Sequence, residues 1–177
     1  MADLEVVVAG GGNAALCAAI TAREKGAAVT LFESAPEDMR GGNTRHTRNL
    51  RASHAEPLET LEDSYTEDEF WDDILKVTHG NTDETLTRLM IRQSPLLLSW
   101  LKARDVHFQP ALSGTLSLHR TNAFFLGGGK TLLNKLYSHA EKIGVSVIYD
   151  SEVTSVSISN NRAHSIDVTT ATDTKTY

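Results

Sequence analysis

The chain opens with a change of hydrophobic period. Residues 4–9 (LEVVVA) are a β-branched apolar run bounded by glycines, which predicts a buried strand. Residues 13–25 (NAALCAAITAREK) turn to an Ala-rich helical pattern with a small-residue face, and Gly26 fits its stop. Residues 28–33 (AVTLFE) are a second apolar strand, ending on an acid. Strand, helix and strand within about 30 residues predict a βαβ unit with parallel strands and a right-handed crossover.

Residues 34–64 carry little regular pattern, and a loop of that length is usually functional or mobile. Helical pattern returns over 66–104. Thr66 and Glu69 fit a capping box before Phe70 and Trp71. Thr82 is expected to cap a second helix running to about Gln93, with Pro95 interrupting it or starting another. Residues 105–126 read as short alternating pieces turning at Gly114. Gly127-Gly128-Gly129 then precedes an amphipathic helix over 130–143, with Leu132, Leu136, Ala140 and Ile143 on one face. Gly144 stops it, and 145–149 (VSVIY) is another strand. Residues 152–159 and 162–170 read as a hairpin around Asn160-Asn161, a pair that tolerates positive φ. The last seven residues are polar and read as a tail.

Composition narrows the function. Apolar residues at 40% and charged residues at 23% describe a folded domain, not a disordered one. A net charge of −6 argues against nucleic acid as the main partner. No eighteen-residue apolar run exists, and the N-terminus lacks a signal-peptide pattern. Cys17 is the only cysteine, which excludes an intrachain disulfide and suits a reducing, cytoplasmic setting. It falls on the Ala-rich helix and reads as a small buried hydrophobe. The histidines have no clustered spacing, so no metal is expected and each reads as a surface or satisfied residue. Trp71 and Trp100 read as packing residues.

The strongest motif is Gly10-Gly11-Gly12-Asn13-Ala14-Ala15, a G-x-G-x-x-A turn. Gly10 allows the tight turn, Gly12 lets a pyrophosphate approach the backbone, and Ala15 lets helix and strand pack closely. The helix N-terminus offers free N–H groups and partial positive charge to phosphates. The motif follows a strand and opens a helix, as the mechanism requires. Glu33 lies 21 residues past Gly12, at the end of the second strand. An acid there can accept hydrogen bonds from an adenosine ribose and would repel a 2′-phosphate, which favours FAD or NAD over NADP. Gly41-Gly42-Asn43-Thr44 follows closely and could approach the cofactor's middle. Arg40, Arg45, Arg48 and Arg51 form a basic run suited to carboxylate or phosphate.

Together, VVVAGGGNAALCAAITAREKGAAVTLFE, RGGNTRHTRNLR and FFLGGGKTLLNKLYSHAEKIGVSVIYDSEV resemble the flavoprotein family of fumarate reductases and succinate dehydrogenases. Within it the sequence is similar to FAD-dependent tricarballylate dehydrogenase and to the flavin domain of oxygen-dependent precorrin-3B synthase. The resemblance covers most of the chain in order.

The resemblance implies an α/β, Rossmann-like FAD-binding fold with a parallel sheet, a helical insertion and a C-terminal β-hairpin, incomplete relative to the family. Residues 1–177 would be the N-terminal part of the FAD-binding domain, with the loop and helical insertion at 35–125. FAD would rest its pyrophosphate on Gly10, Gly12, Asn13, Ala14 and Ala15, and its adenosine near Glu33 and Ser34. Gly41, Gly42, Asn43 and Thr44 would run beside the pyrophosphate and ring, and the backbone of Val153 would meet the adenine. His46-Thr47 lacks the Gly-Gly run that follows the flavinylated histidine in covalent members, so the FAD is expected to be non-covalent.

Family members are more than twice as long. Their substrate-capping domain and catalytic residues follow the region matched here, so no catalytic residue is expected in these 177 residues, and the chain alone is expected to be inactive. The whole enzyme would dehydrogenate a small di- or tricarboxylate by hydride transfer to flavin N5, with Arg45 and Arg48 available to the substrate. The resemblance leaves the electron acceptor open. The precorrin-like oxygenase and a non-catalytic dinucleotide-binding module are the alternatives. A sheet lacking its closing strand is expected to expose an apolar edge and to favour self-association.

Overall fold

The computed structural model describes residues 4–111 and 117–177, and so the turn expected at Gly114 lies outside the described residues. In chain order the elements are β1 (Glu5–Ala9), α1 (Asn13–Glu24), β2 (Ala28–Phe32), β3 (Asn49–Arg51), α2 (Glu67–Thr78), α3 (Glu84–Lys102), β4 (Asn122–Phe124), α4 (Gly128–Lys142), β5 (Ser146–Ile148), β6 (Glu152–Ser159), β7 (Arg162–Thr169) and β8 (Thr174–Thr176). They divide into two compact units, one made of the chain through His46 with Leu133–Tyr177, the other of Thr47–Leu132.

In the first unit β1, β2 and β5 form a parallel sheet in the order β1-β2-β5. The βαβ expectation holds. The small residues of α1 let it lie against β1 and β2 while Leu16, Ala19 and Ile20 are buried. Gly26 ends the turn with φ +91°, where a β-carbon would strain the backbone. Among the described residues β1 pairs only with β2. Its other edge is open, and Val7 and Ala9 help line a cavity of about 670 Å³ with Phe32, Val156, Ile166 and Tyr177.

The C-terminal hairpin turns at Asn160 (φ 49°) and Asn161 (φ 57°), as the pair suggests. It gains a third strand, β8, in residues read from the sequence as a tail. No apolar alternation marks β8. Its pairing is instead polar: Asp167 accepts from Ser155 Oγ (2.6 Å) and Thr176 Oγ1 (2.7 Å), while the hydroxyls of Thr169 and Thr174 lie 2.9 Å apart. The apolar face of this meander, Ile166 and Val168 with Val153, packs on Phe32 and Ile148. The ring of Tyr177 stands 5.1 Å from that of Phe32.

The second unit is built on α2 and α3, where Phe70 and Ile91 form a buried cluster with Tyr65, just before α2, flanked by Trp71 and Ile74. Beside them β3 and β4 pair antiparallel. The α3 helix corrects two expectations. Its cap is Asp83, which accepts from Leu86 N at 2.8 Å, while Thr82 Oγ1 meets Thr87 Oγ1 instead. Pro95 does not break the helix, which runs through to Lys102. Proline removes the amide that would bond the carbonyl of Ile91. That carbonyl accepts instead from the hydroxyls of Ser94 (2.7 Å) and Ser53 (3.1 Å), so the helix continues with its buried acceptor satisfied.

The capping box at α2 is present, with Thr66 Oγ1 accepting from Glu69 N and Glu69 accepting from Thr66 N at 3.0 Å. Glu69 also accepts from Arg120 Nη2 at 2.6 Å. The Thr66 amide, and then Arg120, hold the Glu69 carboxyl below its usual 4.5. A depressed carboxyl pKa stabilises the fold above the unfolded value, and that stabilisation is lost as pH falls through the folded value. Glu69→Gln should therefore lower the melting temperature at neutral pH and match the parent at low pH. Thermal melts across a pH series check this, and parallel curves at all pH values would count against it.

Candidate functional site

Several of the residues that the sequence singles out, Asn13, Glu33 and Thr44 among them, lie in the first unit, where β1 turns into α1. Gly10 leaves the sheet with φ +90°, its amide donating to Phe32 O at 2.7 Å. Gly12 is the N-cap of α1, and no side chain caps the helix there. No acid stands in the first turn. Among the described residues Thr44 Oγ1 accepts from the first amide, Asn13 N, at 3.1 Å, so Thr44 reaches back to the turn. A β-carbon on Gly12 would face Thr44 Oγ1 at 3.6 Å and Gly41 O at 3.8 Å, which makes the approach to this helix end a backbone-lined cradle. Backbone amides and the positive end of the helix thus face this approach, an arrangement that suits an anion.

Glu33 closes one side. It is buried, and Oε1 accepts from Ala35 N (2.9 Å) and Ser34 Oγ (3.4 Å). Oε2 accepts from Gly41 N (3.2 Å) and lies 3.5 Å from Tyr137 Oη. The phenol has one proton, and its shorter bond is the 2.9 Å donation to Gly11 O. One acceptor position on Oε2 therefore stays weakly used, and Ser34 Oγ is a rotor at long range. A ligand hydroxyl can take either place without breaking the two amide bonds that orient the carboxylate.

Tyr137 and Tyr149 belong to this site and were not singled out in the sequence; Arg40, read there as one of a basic run for an anion, packs against them instead. Burial first, and then the charge of Glu33, push the Tyr137 phenol well above its ordinary value, so it remains a neutral donor. Arg40 stacks over the Tyr137 ring at 4.4 Å and donates Nη1 to Tyr149 Oη and Glu37 at 3.0 Å and Nη2 to Asn134 at 3.3 Å. Its Nε is buried with no partner among the described residues. Gly41 is required twice over: its φ is +100°, and a β-carbon would overlap Leu133. For Tyr137 the one available signal was position, since it follows Leu136 on a helix read as amphipathic.

The remaining candidates fall as follows. Gly42, Asn43 and Ser34 are exposed around the cradle, as is Ala14, with Ala15 half-buried beside it. Val153 is the second residue of β6 within the same unit, two residues after Ser151, whose amide donates to Glu33 O at 3.0 Å. His46 is exposed. Arg45 donates Nη1 to the carbonyls of Asp38 (2.8 Å) and Arg40 (3.2 Å) and so holds its own loop. Arg51, in the second unit, pairs with Asp73 at 3.2 Å, while Arg48 and Lys130 are exposed there. Cys17 is half-buried, with Sγ 3.8 Å from Asn13 Oδ1. The ring of buried His54 lies within 3.0 Å of Ala52 O and 3.2 Å of Glu62 O. His119 departs from the expected satisfied state: it is buried against Phe124, and its Nε2 has no partner among the described residues.

An FAD binding domain family model matches residues 5–177. The NADH:fumarate oxidoreductase of Klebsiella pneumoniae (strain 342) is 28% identical over 168 residues, covering 92% of this chain and 18% of that protein. The 3-ketosteroid-Δ4-(5α)-dehydrogenase from Rhodococcus jostii RHA1 superposes with a TM-score of 0.78 at 20% identity, over 98% of this chain and 44% of that one. A flavocytochrome c3 fumarate reductase does so with a TM-score of 0.74 at 23% identity, over 94% and 30%. The chain thus spans under a fifth of the curated relative and under half of these structures.

Proposed function

The chain belongs to the FAD binding domain family, and we propose that it forms the cofactor-binding part of a flavin-dependent oxidoreductase acting on a small di- or tricarboxylate, with tricarballylate as the model substrate. The observation that carries the cofactor assignment is the glycine-lined end of α1, with no acid in its first turn, set beside a buried, oriented Glu33. The residues present fit FAD. The amides at the start of α1 would bind the pyrophosphate, and Gly12 leaves room for it. Glu33 would accept from the adenosine ribose through the positions that Ser34 Oγ and Tyr137 Oη hold only weakly. Gly41–Thr44 would shape the far wall of the cradle, and the start of β6 at Val153 would border the adenine.

FAD, when bound, supplies a two-electron acceptor for a hydride from carbon. The chain's own part is to bind and orient it. Arg40 keeps Tyr137 in place, and Tyr137 keeps Glu33 and the Gly11 carbonyl in register. The substrate reading rests on the RGGNTRHTRNLR and FFLGGGKTLLN segments and on the fumarate chemistry in the names of two relatives. A carboxylate substrate could use the exposed Arg48 and Lys130.

The test is an absorption spectrum of the purified chain reconstituted with FAD, followed by acid precipitation. Flavin bands that move to the supernatant support a non-covalent cofactor site. Bands that stay in the pellet overturn the non-covalent assignment and make His46 the first suspect for attachment. No binding overturns the site. The substrate class is read in a polypeptide that joins these residues to a substrate-capping domain. Anaerobic tricarballylate should bleach its flavin, and a band unchanged by any di- or tricarboxylate overturns that part alone.

A further inference from the structure

Glu33 is buried, but the loop that follows it is not. The carboxylate bonds to both ends of that loop, Oε1 accepting from Ala35 N at 2.9 Å and Oε2 from Gly41 N at 3.2 Å, eight residues on. No residue from Ser34 to Arg40 is buried, and Met39 is 56% exposed. A surface loop of this length with its ends drawn together is of the Ω type. A segment that buries so little apolar surface opens at low cost.

One side chain supplies most of the loop's ties to the rest of its unit. Arg40 Nη1 donates to Tyr149 Oη at 3.0 Å, just beyond β5, and Nη2 donates to Asn134 Oδ1 at 3.3 Å, on α4. The guanidinium lies 4.4 Å from the Tyr137 ring centroid and 5.7 Å from that of Tyr149. The Tyr149 hydroxyl donates its own proton to Glu141 at 3.4 Å, which leaves its oxygen free to accept from Arg40. The only backbone bond from residues 34–40 to another element of the unit is the 3.3 Å donation from Asp150 N to Ala35 O. The loop's other bonds are local and can move with it: Met39 N to Pro36 O, Arg40 Nη1 to Glu37 and Arg45 Nη1 to Asp38 O. The tie is also incomplete. Arg40 Nε is buried with no partner among the described residues, an unmet donor that opening to water would satisfy. Gly41 (φ +100°) and Gly42 (φ +49°) stand where such a loop would turn.

Glu33 is only 5% exposed, so a ribose reaches its oxygens once the loop has shifted. The two amide bonds can then re-form with the ligand in place.

We propose that residues 34–41 are a lid on the adenosine end of the cofactor site and that Arg40 is its latch, gating both entry and exit of FAD. The gate rests on the reading of this site as an FAD site. A latch that holds the lid down with and without cofactor slows both rates, so loosening it raises both and changes affinity much less. A residue that only shapes the bound site acts on dissociation and does not speed association.

Two variants of the full chain test this, with circular-dichroism melts confirming that each is folded. Tyr149→Phe removes one acceptor of the latch, and Arg40→Gln removes the latch itself. Hydrogen exchange on the unliganded chain needs no cofactor. The amides of 34–41 should exchange about fivefold faster in Tyr149→Phe, the equivalent of roughly 1 kcal/mol, and at least about tenfold faster in Arg40→Gln. Those of β1 and α1 should keep the parent's rates. Stopped-flow mixing with FAD, read by flavin fluorescence, should show association and dissociation both faster by similar factors. Exchange unchanged in 34–41, or raised equally along the whole chain, overturns the latch. Exchange raised with FAD association no faster overturns the gate alone and leaves the FAD site standing. A parent that binds no FAD overturns the cofactor reading, and the gate with it.

Discussion

Glu33→Arg should leave the chain unable to retain FAD. Glu33 is 5% exposed and accepts from Ala35 N and Gly41 N, with Ser34 Oγ and Tyr137 Oη at longer range. A guanidinium brings only donors to a place already surrounded by donors. The amides of Ala35 and Gly41 would then face a cation, and a buried donor left unpaired costs about 1–3 kcal/mol. The ribose would lose its acceptor in the same step. The combined loss should weaken FAD binding at least about 100-fold, the equivalent of roughly 3 kcal/mol, and should lower the melting temperature of the unliganded chain. Glu33→Gln separates the two effects. It keeps one oxygen, which can still serve Ala35 N, but turns an amide toward Gly41 N. An intermediate loss of about tenfold is expected, since it removes one charge-assisted bond. Titration of each variant with FAD, followed by flavin fluorescence, gives the comparison. Unchanged FAD content in a folded Glu33→Arg chain would take Glu33 out of the cofactor site.

How much of this was legible depends on whether a residue acts through its neighbours in sequence or in space. The turn at Gly10–Gly12, the helix it opens and the acid at the end of β2 are local features, and their spacing alone placed them. The capping box at Thr66 and the Asn160-Asn161 turn were readable for the same reason, since each bond is made within a few residues. Pro95 was misread as a helix break because its rescue is by side-chain hydroxyls, of neighbouring Ser94 and of Ser53, 38 residues before Ile91, which a hydrophobic pattern does not report. β8 went unseen because its strand is held by threonine hydroxyls and one aspartate, not by an apolar alternation. Tyr137 lies 126 residues from the carbonyl to which it donates, and Arg40 lies 109 from the phenol on which it closes. Nothing in a periodicity reports such a partner. The arginine run shows the converse error. Four arginines in twelve residues suggest an anion site, yet Arg40, Arg45 and Arg51 are engaged by the chain itself.

Gly11→Ala should disable the site although Gly11 is the one glycine of the fingerprint that the motif leaves free. It is buried, and the β-carbon of alanine would overlap both the Tyr137 hydroxyl and the Glu33 carboxylate. Space, not backbone conformation, makes the demand, because Gly11 is not among the glycines with positive φ. Inserting one carbon into a packed region costs about 1–3 kcal/mol. Here the strain falls on the two groups that orient the cofactor cradle, so FAD affinity should fall along with stability. Tyr137→Phe alone deletes the donation to Gly11 O and should cost about 1 kcal/mol. Combined, the two changes should cost less than their sum, because removing the hydroxyl frees part of the volume that the new methyl needs. Contacting residues commonly show coupling of about 0.5–3 kcal/mol. A double-mutant cycle in both melting temperature and FAD affinity measures it. Favourable coupling in both readouts would mean that the α4 tyrosine sets the identity of the middle residue in the glycine turn. Additive losses would mean that the Glu33 carboxylate alone excludes the methyl, which Gly11→Ala in the shorter Glu33→Asp background would then expose.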